Sequence, residues 1–83
     1  MSAKQAAINA VYSQLGAPDW AAPNLDALAD VLRDLSWLPE GGVEITLPDL
    51  ADLDGADLHA LLEVLRRVSN ETAQSPRPVR IRL

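Results

Sequence analysis

The spacing of the leucines constrains this chain more than any other feature of its sequence. Four of them recur at intervals of three, four and three residues, which places them along one side of an α-helix. They are Leu25, Leu28, Leu32 and Leu35. Two further apolar stripes have helical spacing, one at Ile8, Val11, Tyr12 and Leu15 and one at Leu58, Leu61, Leu62, Leu65 and Val68. Because an amphipathic helix is stabilised mainly by packing of its apolar face, three helices that share a core are expected.

Capping and stop signals delimit these helices. Gly16 followed by Pro18 ends the first pattern, and Asn24 is a good N-cap for the second. Asp57 follows Asp54 at the spacing of an acidic capping box, ahead of the third pattern. The predicted helices cover residues 4–15, 25–35 and 57–69.

Two short segments, 43–47 and 79–83, alternate apolar and polar residues as half-buried strands do. A helix separates them in the chain, so a βαβ unit with parallel strands is expected. A short helical turn is expected within residues 48–53. The sequence therefore predicts one α/β domain over residues 1–83, with helices packed on a parallel sheet of two or three strands.

Composition restricts the cellular setting. The 83 residues include no cysteine, so the fold has no disulfide and a reducing compartment is expected. The sequence shows neither a signal-peptide pattern nor an apolar run of 18 residues. We therefore expect a cytoplasmic protein that does not bind a membrane.

The net charge of −5 is unevenly distributed. Residues 1–63 carry 11 acidic and two basic side chains, whereas residues 64–83 carry five arginines and one acid. An acidic field attracts basic partners and repels nucleic acid, although solubility alone would also explain it. The terminal arginines form a weak footprint for nucleic acid, and Arg80 and Arg82 are expected to face Glu44 across the sheet or to reach solvent. No direct nucleic-acid binding is expected.

Catalytic and metal-binding patterns are missing from the sequence. His59 is the single histidine, and it is expected to face solvent without a second ligand nearby. The acids at 49, 52, 54 and 57 lack the spacing of a calcium loop and suit capping and turn roles. No glycine-rich phosphate loop occurs. The chain is therefore not expected to be an enzyme or to hold a metal or cofactor.

A row of acids is predicted on the second helix. At about 100° per residue, Asp30 and Asp34 lie about 40° and 80° from Asp26, on the side opposite the leucines. Aspartates four residues apart disfavour a helix, and only Asp26 gains from the helix dipole. The row is either the solvent-exposed face of an amphipathic helix or a surface that binds a cationic partner.

The two tryptophans receive different interpretations. Trp20 lies in a loop, residues 16–24, that leads into the acidic helix. Tryptophan contributes disproportionately to protein interfaces, so Trp20 is a candidate contact residue, although it could instead fill the core under the loop. Trp37 follows the leucine stripe and is expected to lie in or near the core.

A family resemblance covers this region. The segment Pro18-Asp19-Trp20-Ala21-Ala22-Pro23-Asn24-Leu25-Asp26-Ala27-Leu28-Ala29-Asp30 resembles the signature of the barstar family, in which a proline, an acid, an aromatic and a short loop precede Asn-Leu-Asp-Ala-Leu and another Asp. The order of the later elements is also similar. The resemblance implies an intracellular inhibitor that blocks the active site of a basic, barnase-like guanyl-type ribonuclease. Its implied contact residues are Trp20, Asn24, Asp26 and Asp30, with Asp30 at the phosphate site.

Several features depart from the family pattern. The family has a β-strand before its first helix, whereas the first pattern here is helical, so we expect a sheet that lacks this strand or is completed by another chain. Ala22 replaces a loop glycine, Ala29 stands where tryptophan is common, and Arg67 replaces an acid of the last helix. An exposed sheet edge could pair with another chain. The alternative function is therefore a non-enzymatic interaction or oligomerisation module with the same fold.

Overall fold

Three helices and two strands follow one another along residues 2–47 and 50–82, which the computed structural model describes. In chain order they are α1 (Ala3–Leu15), α2 (Leu25–Asp34), β1 (Val43–Thr46), α3 (Gly55–Thr72) and β2 (Val79–Arg82). The predicted helices and strands are confirmed, and α3 extends beyond its predicted range at both ends. Of the predicted turn, residues 48 and 49 lie outside the described residues. At its other end the Leu53 N–H donates to the Leu50 carbonyl over 3.1 Å.

The ends of α1 follow from two local signals. Ser2 and Gln5 form a reciprocal capping box, in which each side-chain oxygen accepts the other residue's backbone N–H at 3.1 Å. The helix ends at Gly16, whose φ of 60° is a left-handed conformation that glycine adopts without strain. The Ser-x-x-Gln spacing of this capping box is visible in the sequence and was not among the predicted caps.

Leu35 ends α2 in the same left-handed region, with φ 47°. This conformation costs a residue with a Cβ about 1–2 kcal/mol. The Leu35 side chain is fully buried, and burying a leucine contributes about 1.5–3 kcal/mol. Burial of the side chain therefore offsets the backbone strain, and the leucine stripe continues one residue past the helix.

The two strands are parallel neighbours, as predicted. Val43 pairs with Val79 and Ile45 with Ile81, and the Val43 N–H donates to the Pro78 carbonyl over 2.8 Å. These apolar side chains face the helices, whereas the alternate residues Glu44, Thr46, Arg80 and Arg82 are exposed. Arg82 donates to Glu44 over 2.8 Å. The structure is thus two-layered, with helices on one face of the sheet and solvent on the other. Among the described residues, no strand precedes α1.

Helix side chains cap both outer edges of this sheet. On β1, the Gln14 amide accepts the Thr46 N–H at 2.9 Å and donates to the Thr46 carbonyl at 2.6 Å. On β2, the Thr72 hydroxyl accepts the Val79 N–H at 3.0 Å, and the Ser69 hydroxyl donates to the Val79 carbonyl at 2.8 Å. These bonds occupy groups that another strand would need for pairing, so the edges are less open than a two-stranded sheet suggests.

The core is aliphatic and lies between the helices and the sheet. Of the leucine stripe on α2, Leu28, Leu32 and Leu35 are buried, and Leu25 is half-buried. Trp37 is also half-buried against this core, and its indole N–H donates to the Leu15 carbonyl over 2.9 Å. The expectation that Trp37 lies in or near the core is confirmed.

The paired isoleucines of the sheet allow a matched stability test. Ile45 is fully buried and Ile81 half-buried, although they are opposite each other in the register. Ile45→Val should lower the free energy of unfolding by about 0.5–1.5 kcal/mol, because it leaves a cavity in packed surroundings. Ile81→Val should cost less, because its surroundings are partly open. Urea denaturation followed by circular dichroism measures both, and equal costs would contradict the assigned burial.

Candidate functional site

The predicted acid row on α2 faces solvent. Leu28, Val31 and Leu32 point into the core, and this orientation turns the opposite face outward. The exposed acids on it are Asp26, Asp30 and Asp34. The side chain of Asp30 is 75% exposed. A partner can therefore reach the Asp30 carboxylate without rearrangement of the core.

Asn24 fixes the start of this helix. Its side-chain oxygen accepts the Ala27 N–H at 2.8 Å, which confirms the predicted N-cap. Asp26 lies in the first turn, where its negative charge is favoured by the helix dipole. Because the Asn24 oxygen is used within the chain, it shapes the surface by positioning α2.

The loop before α2 presents Trp20 to solvent. The Ala21 N–H donates to the Pro18 carbonyl over 3.0 Å, closing a β-turn with Asp19 and Trp20 at its tip. Trp20 is 63% exposed, so the alternative that it fills the core is wrong. The exposed indole of Trp20 in the loop is thus followed in the chain by the exposed carboxylate of Asp30 on α2.

Tyr12 fastens this loop to α1. Its ring is buried, and its hydroxyl donates to the Ala22 carbonyl over 2.7 Å. Burial raises the pKa of the Tyr12 hydroxyl, so it stays protonated and able to donate up to a higher pH than an exposed tyrosine. The sequence places Tyr12 only in the apolar stripe of α1, because periodicity carries no information about the partner of its hydroxyl.

A cation borders the acid row. Arg33 is exposed on α2, and its guanidinium lies 3.8 Å from the Asp30 carboxylate, beyond hydrogen-bond distance. Its nearer partner is Glu71 of α3, which accepts hydrogen bonds from Arg33 Nε at 2.7 Å and Nη2 at 3.4 Å. The hydrogen bond lowers the pKa of Glu71 and, with the attraction between the charges, raises that of Arg33.

This ion pair was missed by sequence analysis. Arg33 follows Asp30 by three residues, a spacing at which helical side chains are neighbours, so its place beside the acid row could have been predicted. Its partner Glu71 is 38 residues away in sequence and needs the fold. Arg67, one turn before Glu71 on α3, is exposed, and its charge also lowers the pKa of Glu71.

Other features lie outside this surface. A cavity of about 360 Å³ is lined by α3 and by Ile81 of β2, and it shares no residue with α2 or the loop. His59 is exposed, as expected. Within residues 2–47 and 50–82, no three His, Asp or Glu side chains group closely enough to hold a metal ion. In that same part of the chain, no helix has the length and apolar character needed to cross a membrane.

Together these features define a small two-layer α/β protein that presents an acidic helix and an exposed tryptophan. A family model described as Barstar (barnase inhibitor) matches residues 1–83, the whole chain. The protein belongs to this family, as the resemblance of residues 18–30 indicated. Barstar family proteins are inhibitors rather than enzymes. Neither the curated proteins nor the solved structures include one that matches this chain.

The hydroxyl of Tyr12 provides a test of the loop anchor. Tyr12→Phe should lower the free energy of unfolding by about 1 kcal/mol, because the Ala22 carbonyl loses its donor. The raised pKa of Tyr12 also makes stability depend on pH. The stabilisation by the protonated hydroxyl is complete below the ordinary pKa of 10.0, and it is lost as the pH rises through the raised pKa. Denaturation at neutral and alkaline pH should show this loss in the wild type and none of it in Tyr12→Phe. Since Tyr12 is the single tyrosine, its ultraviolet absorbance reports the titration directly.

Proposed function

We propose that this protein inhibits a basic guanyl-type ribonuclease by placing α2 and the loop before it in the active site of the enzyme. The exposure of Asp30 is the observation that carries the proposal. A pocket that binds phosphate is lined by cations, and a carboxylate forms short, charge-assisted hydrogen bonds with such groups. Asp30 is 75% exposed, and its nearest cation in the described chain is too far for a hydrogen bond. Its carboxylate is therefore available to replace a substrate phosphate.

The neighbouring residues suit supporting roles. Asp26, one turn before Asp30, supplies a second anion on the same face of α2. Asn24 holds the first turn of the helix in place through its cap. Trp20 offers a large apolar side chain that loses its contact with water when a partner covers it, as residues at the centre of interfaces do. This surface would inhibit the nuclease without any covalent step, because it would occupy the active site and exclude the substrate.

The charge of the whole chain supports a basic partner. The net charge is −5, and 11 of the 12 acids lie in residues 1–63, which include α2 and the loop. A negative field of this kind steers a cationic protein toward the surface and weakens with salt.

The alternative function, oligomerisation through a sheet edge, has weaker support. Gln14 occupies the backbone of Thr46 at one edge, and Ser69 and Thr72 occupy that of Val79 at the other. Two copies would also bring together like net charges. Size-exclusion chromatography with light scattering distinguishes the two functions, because an inhibitor stays monomeric on dilution without its target, whereas an oligomerisation module changes size with concentration.

The decisive experiment is inhibition of basic microbial ribonucleases, barnase among them, by the wild type and by Asp30→Ala. We expect stoichiometric inhibition by the wild type. Asp30→Ala should raise the inhibition constant at least about 100-fold, because removing one partner of a buried ion pair costs about 3–5 kcal/mol. Rising salt should also weaken inhibition by the wild type.

Asp52→Ala is the matched control. Asp52 is exposed in the turn after β1, and its substitution removes the same charge from a site outside α2. It should change the inhibition constant by much less than Asp30→Ala. Equal effects of the two substitutions would show that only net charge matters and would contradict a phosphate-like role for Asp30. Absence of inhibition of every ribonuclease tested would contradict the proposed function as a whole.

A further inference from the structure

Arg33 presents a difficulty for the proposed surface. It is one of only two basic residues in residues 1–63, and it lies one helical turn after Asp30. A cation in this place competes with the cations of a nuclease for the same carboxylate. How strongly the Asp30 carboxylate can bind the cations of a nuclease therefore depends on where the guanidinium of Arg33 is held.

Glu71 holds that guanidinium. The Arg33 Nε to Glu71 Oε2 distance is 2.7 Å, whereas the closest approach of Arg33 to Asp30 is 3.8 Å. A second hydrogen bond joins Arg33 Nη2 to Glu71 Oε1 at 3.4 Å. The Arg33 and Glu71 side chains are 41% and 43% exposed, so both are more enclosed than that of Asp30, at 75%. Arg33 thus bonds across to α3 and leaves the Asp30 carboxylate facing solvent.

We infer that Glu71 is a positioning residue that draws Arg33 away from Asp30 and so keeps Asp30 available to cations of a bound nuclease. The inference rests on the proposed function and goes beyond it, because Glu71 need not touch the partner. Without its negative charge, the remaining anion within reach of Arg33 on α2 is Asp30, three residues earlier. Arg33 would then have to leave Asp30 whenever the nuclease binds.

The expected effect is small and measurable. Exposed ion pairs contribute weakly, typically a change of about 1.5- to 5-fold in a binding constant. Glu71→Gln should therefore raise the inhibition constant by up to about five-fold. The same substitution in an Arg33→Gln background should change it less than two-fold, because no guanidinium remains to move.

Glu63→Gln is the matched control for the charge. Glu63 is on the same helix and is also paired with an arginine, with Arg66 Nη2 at 2.5 Å, yet it is not a partner of Arg33. Its substitution removes the same charge and one ion pair, and should leave the inhibition constant nearly unchanged. If Glu71→Gln weakens inhibition equally with and without Arg33, Glu71 acts directly on the nuclease and the inference is wrong.

A second readout separates this inference from the proposed function, because it needs no nuclease. The carboxyl carbon resonance of Asp30, measured by NMR at neutral pH in the free protein, should move in Glu71→Gln and stay in place in Glu63→Gln. The movement should vanish in the double variant with Arg33→Gln. An Asp30 resonance that ignores Glu71→Gln would overturn the positioning role, whether or not the wild type inhibits a ribonuclease.

Discussion

The burial of one side of α2 is the constraint on which the rest of the structure depends. Leu28 and Leu32 lie in the core, and Leu35 joins them even though its backbone adopts a strained left-handed conformation. A helix held in this way has a single orientation, and Asn24 defines where it begins. The direction of Asp30 toward solvent is a consequence of this packing, because it lies on the side opposite the leucines.

Nearby charges then determine how available the exposed Asp30 carboxylate is to a cationic partner. A row of aspartates on a helix attracts any nearby cation, and the chain supplies one in Arg33. Glu71 neutralises that cation from α3, so the face of α2 keeps its negative character where a basic partner would approach. The tertiary packing of α2 against α3 therefore contributes to the charge of the surface as well as to its shape.

Periodicity and capping signals predicted the helices, the strands and the outward direction of the acid row, because these depend on neighbours a few residues apart. The exposure of Trp20 does not follow from the sequence, since a loop sequence does not show which way a large side chain turns. The Gln14 cap of β1, the Tyr12 anchor and the Arg33–Glu71 pair were not predicted. Each joins residues that only the tertiary fold brings together, and the Gln14 cap changes the expectation that the sheet edge is open.

Competition with inorganic phosphate tests most directly whether Asp30 takes the place of a substrate phosphate. The inhibition constant would be measured against a susceptible ribonuclease at rising phosphate, with the ionic strength held constant by chloride. It should rise linearly with the phosphate concentration, because a competing ligand multiplies it by one plus the ratio of that concentration to the dissociation constant of the ligand. This dependence should weaken in Asp30→Asn. An inhibition constant of the wild type that is unaffected by phosphate would contradict the proposed mode of inhibition.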